Sequence, residues 1–200
     1  MSTNAGESSI RFRMVKARHK KRLEEAIKKG EADELIIELC RFINSKKNFF
    51  TTSSCSGRIL LLGVKGKGKN NAYFHRKWHS KVKFEDIWNA LHENTEGELW
   101  LKMESFIMHI GAFRRIDALK LLQIKDRAGI KRGGIIAIKP GKIIVELIGT
   151  EDVAIPVKLE NRIIVSEDFL RDAVMIINRK MEENLARLKI FEREIKERLK

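Results

Sequence analysis

An uninterrupted run of large aliphatic residues, Ile59-Leu60-Leu61-Leu62, constrains the fold of this chain more than any other segment. Small polar residues that end in a glycine, at 53–57, precede the run. A continuous apolar run after such residues is typical of a buried strand that is entered through a tight turn. The sequence therefore predicts a turn over residues 53–57 and a buried strand that begins at Ile59.

Helical and strand-like segments lie on both sides of this strand. Apolar residues spaced three and four apart predict helices at 11–29, 32–44, 84–93, 116–127 and from the capping residue Ser166 to the end of the chain. Alternating or β-branched segments predict strands at 72–80, 99–110, 135–139, 143–148 and 154–157. Neither a repeat nor a proline-rich linker interrupts the chain. We therefore expect a single α+β domain over residues 1–200, with a mixed β-sheet, flanking helices and a long C-terminal helix.

The charge of the chain indicates a polyanionic partner. Lysine and arginine number 41 against 27 aspartate and glutamate residues, which gives a formal net charge of +14. A surplus of this size on one domain favours nucleic acid, with an acidic membrane surface as the second candidate. The predicted helix over residues 11–29 carries a strongly basic face, and further cations cluster between residues 114 and 132.

The segment from Arg58 to Lys83 contains no acidic residue and combines cations with aromatic rings. This combination is typical of proteins that bind looped RNA, because the cations contact phosphates while the rings stack on bases. The predicted RNA-binding residues are Lys65, Lys67, Lys69, Arg76, Lys77 and Trp78. Because a strand buries alternate residues, we expect Phe74 in the core.

Several other function classes lack the motifs that they need. Residues 63–70 nearly form a phosphate-binding loop, but Asn70 stands where Ser or Thr would hold Mg²⁺, and a strand follows where a helix is required. No Gly-x-Gly-x-x-Gly turn supports a Rossmann methyltransferase core. His75 and His79 lack further ligands at metal-site spacing, so we expect no metal.

Cysteine usage and hydropathy predict a cytoplasmic protein. Cys40 and Cys55 form no ligand-spaced pair, which is typical of thiols in a reducing compartment. No apolar stretch reaches the length of a signal core or a membrane span. We expect no membrane association, and no feature indicates an obligate protein partner.

The run Ser53-Ser54-Cys55-Ser56-Gly57-Arg58 resembles the signature of the wybutosine-synthesis tRNA methyltransferases, the third-step enzyme of that pathway and its archaeal relatives. Three further segments resemble family motifs in order and spacing. Residues 74–79 resemble an aromatic strand that ends in a histidine, residues 99–109 a Glu-Pro-Phe-Ile-Leu-His strand, and residues 128–135 an Ala-Gly-Phe-Lys-x-Ser-Gly turn. The helix before the signature and the C-terminal helix also fit, so the resemblance covers nearly the whole chain.

Three positions depart from the family pattern. Ser105 stands where the family has proline, Gly133 where it often has serine, and Phe74 where it often has tryptophan. Because Ser105 and Gly133 fall near the site that the resemblance implies, these departures concern substrate choice more than the class of reaction.

The resemblance implies a fold distinct from the Rossmann type. It implies S-adenosylmethionine as methyl donor and, as acceptor, a ring nitrogen of the tricyclic guanosine derivative beside the anticodon of phenylalanine tRNA. The residues expected to bind cofactor or substrate are Ser53, Ser54, Cys55, Ser56, Gly57, Arg58, Gly129 and Lys131.

Methylation of a ring nitrogen releases a proton, and a neutral histidine or a carboxylate within hydrogen-bond reach can accept it. The candidates for this catalytic role are His79, Glu104 and His109, and the sequence leaves the choice among them open. Arg58 could bind a carboxylate or phosphate through two parallel hydrogen bonds, or it could pair with Glu104. The rival from another class is a non-catalytic RNA-binding protein, which would not bind S-adenosylmethionine.

Overall fold

The computed structural model describes residues 3–66 and 71–199, with side chains from Gly6 onward. The helices in this part of the chain are α1 (Thr3–Lys28), α2 (Glu34–Ser45), α3 (Phe84–His92), α4 (Arg115–Arg127) and α5 (Glu167–Arg198). The strands are β1 (Phe49–Val64), β2 (Ala72–Trp78), β3 (Glu98–Ala112), β4 (Ile135–Lys139), β5 (Lys142–Ile148), β6 (Val153–Leu159) and β7 (Arg162–Ile163). The predicted α+β class is confirmed. None of the described helices has the length and apolar content that a bilayer crossing requires.

The sheet is antiparallel, where a mixed sheet was expected. The strand pairings described by register, such as β4 with β5 and β6 with β7, are all antiparallel. Each of these two pairs is joined by a connection of two residues, which is far too short for the crossover that a parallel pair needs. An antiparallel sheet also differs from the parallel, doubly wound core of Rossmann enzymes.

The chain forms two compact units. Unit 1 comprises Met1–Ser56, Phe106–Thr150 and Arg187–Lys200, and unit 2 comprises Gly57–Ser105 and Glu151–Ala186. Three long elements, β1, β3 and α5, therefore contribute residues to both units. Each unit has a hydrophobic core of its own. The expectation of a single domain over residues 1–200 stays a prediction.

In unit 1 the strands follow one another in the order β1, β3, β5 and β4. The apolar sides of α2, α4 and the end of α5 cover this part of the sheet, with core residues that include Leu39, Ile43, Leu121, Phe106, Phe191 and Ile195. A smaller cluster joins α1 to the same unit through Phe12, Phe50 and Ile144.

In unit 2 the order is β2, β1, β3, β6 and β7. Its core combines strand residues with α3 and the first part of α5, and includes Ile59, Leu61, Leu101, Ile87, Leu91, Val174 and Ile177. The side chains of Ile59, Leu60 and Leu61 are all inaccessible to solvent. The prediction of a buried strand that includes this run is confirmed.

The predicted turn over residues 53–57 is wrong, because β1 continues without interruption through these residues. Pairing with a neighbouring strand outweighs the local turn preference of small polar residues. Gly57 has a φ of 104°, which glycine adopts without steric cost, and it absorbs an irregularity inside the strand. The residues of the signature therefore lie on a strand.

The helix ends predicted from capping residues agree with the structure, whereas α1 begins at Thr3, well before the predicted start at residue 11. The hydroxyl of Ser166 accepts a hydrogen bond of 3.2 Å from the amide of Phe169 and caps α5. Gly30 and Gly129 follow α1 and α4 with φ near +70°, as expected for residues that end a helix in the left-handed conformation.

Candidate active site

Asp33 connects the start of α2 to the signature strand within unit 1. Its Oδ1 accepts a hydrogen bond of 3.2 Å from the amide of Leu35, and its Oδ2 accepts one of 2.6 Å from the amide of Ser56. A carboxylate at this position also complements the positive end of the helix. Asp33 thus fixes the backbone of the signature, although in the sequence it indicated only the start of a helix.

A second connection lies at the other end of α2. The amide of Thr51 donates to Asn44 Oδ1 over 2.8 Å, and Asn44 Nδ2 donates to the hydroxyl of Thr51 over 3.1 Å. Both side chains are buried, so this pair satisfies polar atoms that would otherwise destabilise the core. The residues at the two ends of α2 therefore bind β1 at Thr51, before the signature, and at Ser56, within it.

The serines and the cysteine of the signature differ in exposure. Ser53 is exposed, Ser54 and Cys55 are half-buried, and Ser56 is buried. The hydroxyl of Ser54 faces the thiol of Cys40, and burial raises the pKa of that thiol. The roles predicted for Ser53, Ser54, Cys55 and Ser56 in binding stay predictions.

In unit 2, Arg58 and Lys102 hold the carboxylate of Glu104. Arg58 Nε and Nη2 both lie 2.8 Å from Glu104 Oε2, and Lys102 Nζ lies 3.0 Å from Oε1. Partial burial by itself would raise the pKa of Glu104, but the hydrogen bonds from Lys102 and Arg58 outweigh it and lower the pKa. A carboxylate with a lowered pKa is a weak proton acceptor. Its environment therefore favours a binding or positioning role for Glu104 among the three catalytic candidates.

The prediction that Phe74 lies in the core is wrong, because 54% of its surface is exposed. It lies on β2, which is the edge strand of unit 2 and pairs only with β1 among the described strands. The guanidinium of Arg58 lies 4.8 Å from the centre of the Phe74 ring. The ring therefore contacts a cation at the surface.

His79 follows β2 and also lies beside the signature. Its Nδ1 is 3.1 Å from the carbonyl oxygen of Gly57. The tautomer with a proton on Nδ1 donates to this oxygen, and Nε2 then carries the lone pair that could accept a proton. Gly57 and His79 are thus brought together in unit 2, as expected for residues of one site.

His109 lies in unit 1 and forms a pair with a carboxylate that sequence analysis missed. Its Nε2 lies 2.7 Å from Glu146 Oε2, and both side chains are between one fifth and one quarter exposed. The two residues are direct partners in the antiparallel ladder of β3 and β5, which places their side chains on the same face. The available signal was an isolated acidic residue inside the otherwise apolar segment 143–148.

The segment that contains Gly133 and Gly134 holds the backbone of Glu146. The amide of Glu146 donates to the carbonyl oxygen of Gly134 over 2.8 Å. Gly133 has a φ of 103°, and a Cβ there would lie 2.2 Å from the carbonyl oxygen of Glu146. This approach leaves no room for a side chain at position 133 of this chain.

The two other residues predicted from this segment differ in their surroundings. A Cβ at Gly129 would lie 2.5 Å from Arg187 Nη1, which donates to the carbonyl oxygen of Ala128 over 3.2 Å. Gly129 therefore ends α4 and makes room for Arg187, which is a structural role. Lys131 is exposed, and its role in binding stays a prediction.

The residues predicted to bind RNA are only partly described. Lys67 and Lys69 lie outside the described residues, while Lys77 is exposed. Lys65 pairs with Glu96 over 2.7 Å, and Arg76 pairs with Glu93. Trp78 packs against the core of unit 2, so its ring is half-buried.

The fold agrees with that of a solved structure of known sequence similarity. The chain belongs to a family of methyltransferases outside the Rossmann class, because residues 14–197 match the family described as Methyltransferase TYW3. The resemblance inferred from the signature is therefore confirmed.

Relatives support the same assignment. The tRNA(Phe) 7-((3-amino-3-carboxypropyl)-4-demethylwyosine(37)-N(4))-methyltransferase 1 of Pyrococcus abyssi is 40% identical over 88% of this chain and 91% of its own length. The tRNA wybutosine-synthesizing protein 3 homolog of Danio rerio is 35% identical over 82% of this chain and 66% of its own length. The solved structure of the PH1069 protein of Pyrococcus horikoshii superposes with a TM-score of 0.88 and 37% identity, over 94% of this chain and 97% of that one.

Proposed function

We propose that this protein transfers a methyl group from S-adenosylmethionine to N4 of 7-(3-amino-3-carboxypropyl)-4-demethylwyosine at position 37, beside the anticodon, of phenylalanine tRNA. The observation that carries this proposal is the 40% identity to the Pyrococcus abyssi methyltransferase over nearly the full length of both chains. The net charge of +14 is consistent with a tRNA substrate. A reaction in the cytoplasm is consistent with such a substrate.

The charged groups of unit 2 fit the amino-acid part of S-adenosylmethionine. That part carries an ammonium and a carboxylate, and Glu104 can accept from the first while Arg58 and Lys102 complement the second. The three side chains are 27–33% exposed, so a ligand can reach them. When bound, S-adenosylmethionine supplies an electrophilic methyl group on a sulfonium, and its transfer depends mainly on alignment.

The same group occurs on the acceptor base. The name of the Pyrococcus abyssi enzyme gives its acceptor a 3-amino-3-carboxypropyl chain, which is also the amino-acid part of S-adenosylmethionine. Binding experiments with the donor alone and with tRNA alone therefore decide which of the two ligands Arg58 and Glu104 hold.

His109 has the surroundings of a group that accepts the proton that leaves the ring nitrogen. Glu146 keeps the proton of the neutral imidazole on Nε2, which leaves the lone pair on Nδ1. The carboxylate also stabilises the imidazolium that forms when Nδ1 accepts a proton.

The function is tested by calorimetric titration with S-adenosylmethionine and by incorporation of labelled methyl into phenylalanine tRNA isolated from cells that lack this activity. We expect micromolar binding of the donor and one methyl group per tRNA. Absence of both, with tRNA binding intact, would leave a non-catalytic RNA-binding protein.

Arg58→Ala tests the assignment of the charged network. Loss of a charge-assisted bidentate contact is expected to weaken binding of its ligand by about 10- to 100-fold. Arg179→Ala is the matched control, because Arg179 is an exposed arginine of the same unit whose ion pair with Glu183 is long, at 4.0 Å. Equal effects of the two substitutions would contradict the assignment.

A further inference from the structure

Helix α1 presents a row of arginines on one side. Arg11, Arg18 and Arg22 are seven and four residues apart, a spacing that places them on the same side of a helix over about 16 Å. All three are exposed. Between Ser8 and Leu23 the helix contains seven basic residues and no acidic residue.

These arginines differ from several others in the chain, which form ion pairs. Arg41, Arg58 and Arg114 each lie within 3.0 Å of a carboxylate oxygen. Within the described residues, Arg11, Arg18 and Arg22 have no carboxylate within ion-pair distance. No internal ion pair must therefore break before they bind an external anion.

The adjacent side of α1 is anchored in unit 1. Phe12 is only 3% exposed, and its ring centre lies 5.4 Å from that of Phe50 and 5.0 Å from that of Phe113. Lys16 Nζ donates to the carbonyl oxygen of Lys46. The helix thus holds its arginines on a fixed support, which lowers the entropic cost of binding a ligand.

The turn between β4 and β5 adds to the positive potential. A Cβ at Gly141 would lie 3.2 Å from the Cβ of Arg11, so this turn packs against the helix and brings Lys142 near it. Burial lowers the pKa of His19, and the charges of Arg18, Arg22 and Lys142 lower it further. The site therefore repels added positive charge and attracts anions.

We propose that the side of α1 formed by Arg11, Arg18 and Arg22 is a docking surface for the sugar–phosphate backbone of tRNA, outside the base that is methylated. The assignment of this backbone to tRNA rests on the proposed function. Arginine matches phosphate through two parallel hydrogen bonds, and a row of arginines can contact successive phosphates. The surface belongs to unit 1, whereas the predicted RNA contacts at residues 65–78 belong to unit 2.

The burial pattern favours RNA over a membrane as the partner. A helix that lies in a membrane interface needs a broad apolar face to insert between lipids. The main apolar residues of α1, such as Phe12, Val15 and Leu23, pack against unit 1 instead. Ile10 and Met14 remain exposed, which is a small apolar area beside a long cationic one.

The experiment compares the wild type with the triple variant Arg11→Gln, Arg18→Gln, Arg22→Gln by fluorescence anisotropy with phenylalanine tRNA at several salt concentrations. Each lost phosphate contact is expected to reduce the slope of log K against log salt by about 1. The loss of three such contacts is expected to weaken tRNA binding by roughly 10- to 1000-fold at physiological salt. The matched control is Lys189→Gln, Arg193→Gln, Lys196→Gln, which removes three exposed cations of the same unit.

Circular dichroism and calorimetric binding of S-adenosylmethionine show whether each variant is folded. A loss of tRNA affinity confined to the α1 variant, with donor binding unchanged, supports the surface. Binding within about twofold of the wild type, an equal loss in the control variant, or loss of binding to anionic phospholipid vesicles without loss of tRNA affinity would overturn it. If no methyl transfer occurs but the α1 variant alone loses tRNA affinity, the proposed function fails while the surface stands.

Discussion

Each unit carries a carboxylate held by a basic partner, but the two partners differ. In unit 2 Glu104 faces the permanent cations Arg58 and Lys102, and its pKa is lowered. In unit 1 Glu146 faces the imidazole of His109. Permanent ion pairs suit the binding of a charged ligand, whereas a histidine–carboxylate pair suits proton transfer. The comparison therefore supports the proposal of a binding role for Glu104 and of a proton-accepting role for His109.

The largest expected effect belongs to the histidine. His109→Ala is expected to lower the methylation rate by about 10²- to 10⁴-fold, the usual contribution of a general base, with donor and tRNA affinities nearly unchanged. Single-turnover methylation kinetics measure this, with His79→Ala as the comparison. A larger loss of rate in His79→Ala would show that His79 accepts the proton. The proton-accepting role would then no longer belong to unit 1.

Glu146 is expected to act through His109. Glu146→Gln keeps the size of the side chain but removes the charge that stabilises the imidazolium, so the rate should fall by about tenfold while both Kd values stay the same. In the double variant with His109→Ala, the substitution at Glu146 should have no further effect on the rate. Independent, multiplying effects would show that Glu146 does not work through His109.

Glu104 provides a pH-dependent comparison. Because its pKa is lowered in the folded state, its stabilisation is fully present above the unfolded value near 4.5 and is lost as the pH falls through the folded value. Glu104→Gln should therefore lower the free energy of unfolding at pH 7, by at most about 1 kcal/mol because the groups are partly solvated, and should change it less in acid. Urea unfolding at both pH values measures the difference, and an equal loss at both would contradict this account.

Phe74 is expected to give the smallest effect. Phe74→Ala should cost less than about 1 kcal/mol of stability, because the ring is exposed and loses mainly a surface cation–π contact. Phe106→Ala is the matched control, since its ring is fully buried and its loss should cost about 3–5 kcal/mol. Thermal unfolding compares them, and similar losses would show that the ring of Phe74 belongs to the core after all.

Much of the fold could be predicted from local patterns. The helices near 84–93 and 116–127 and the strand near 99–110 were predicted within about two residues, since apolar spacing reports which face of an element is buried. The caps at Ser166, Gly30 and Gly129 follow from single residues whose chemistry suits a helix end. The pairing of Arg58 with Glu104, named as one alternative, is confirmed by the structure.

The wrong predictions share one cause, which is that contacts between residues far apart along the chain decide the structure. The small polar residues at 53–57 favour a turn locally, but the neighbouring strand in the sheet draws them into β1. Phe74 was placed in the core by strand alternation, yet the position of β2 at an edge leaves its ring exposed. Glu146 appeared as an ordinary acidic residue, because only the register of β3 with β5 places it opposite His109.

The sequence by itself determined the α+β class, the basic character of the chain and, through the signature at 53–58, the methyltransferase family. These properties depend on composition and on residues that are close together along the chain. The tertiary structure alone decided that the signature is a strand, that Glu104 is held between two cations, and that His109 has a carboxylate partner. Those facts depend on strand order and register, which are set by the summed burial of apolar faces over the whole chain.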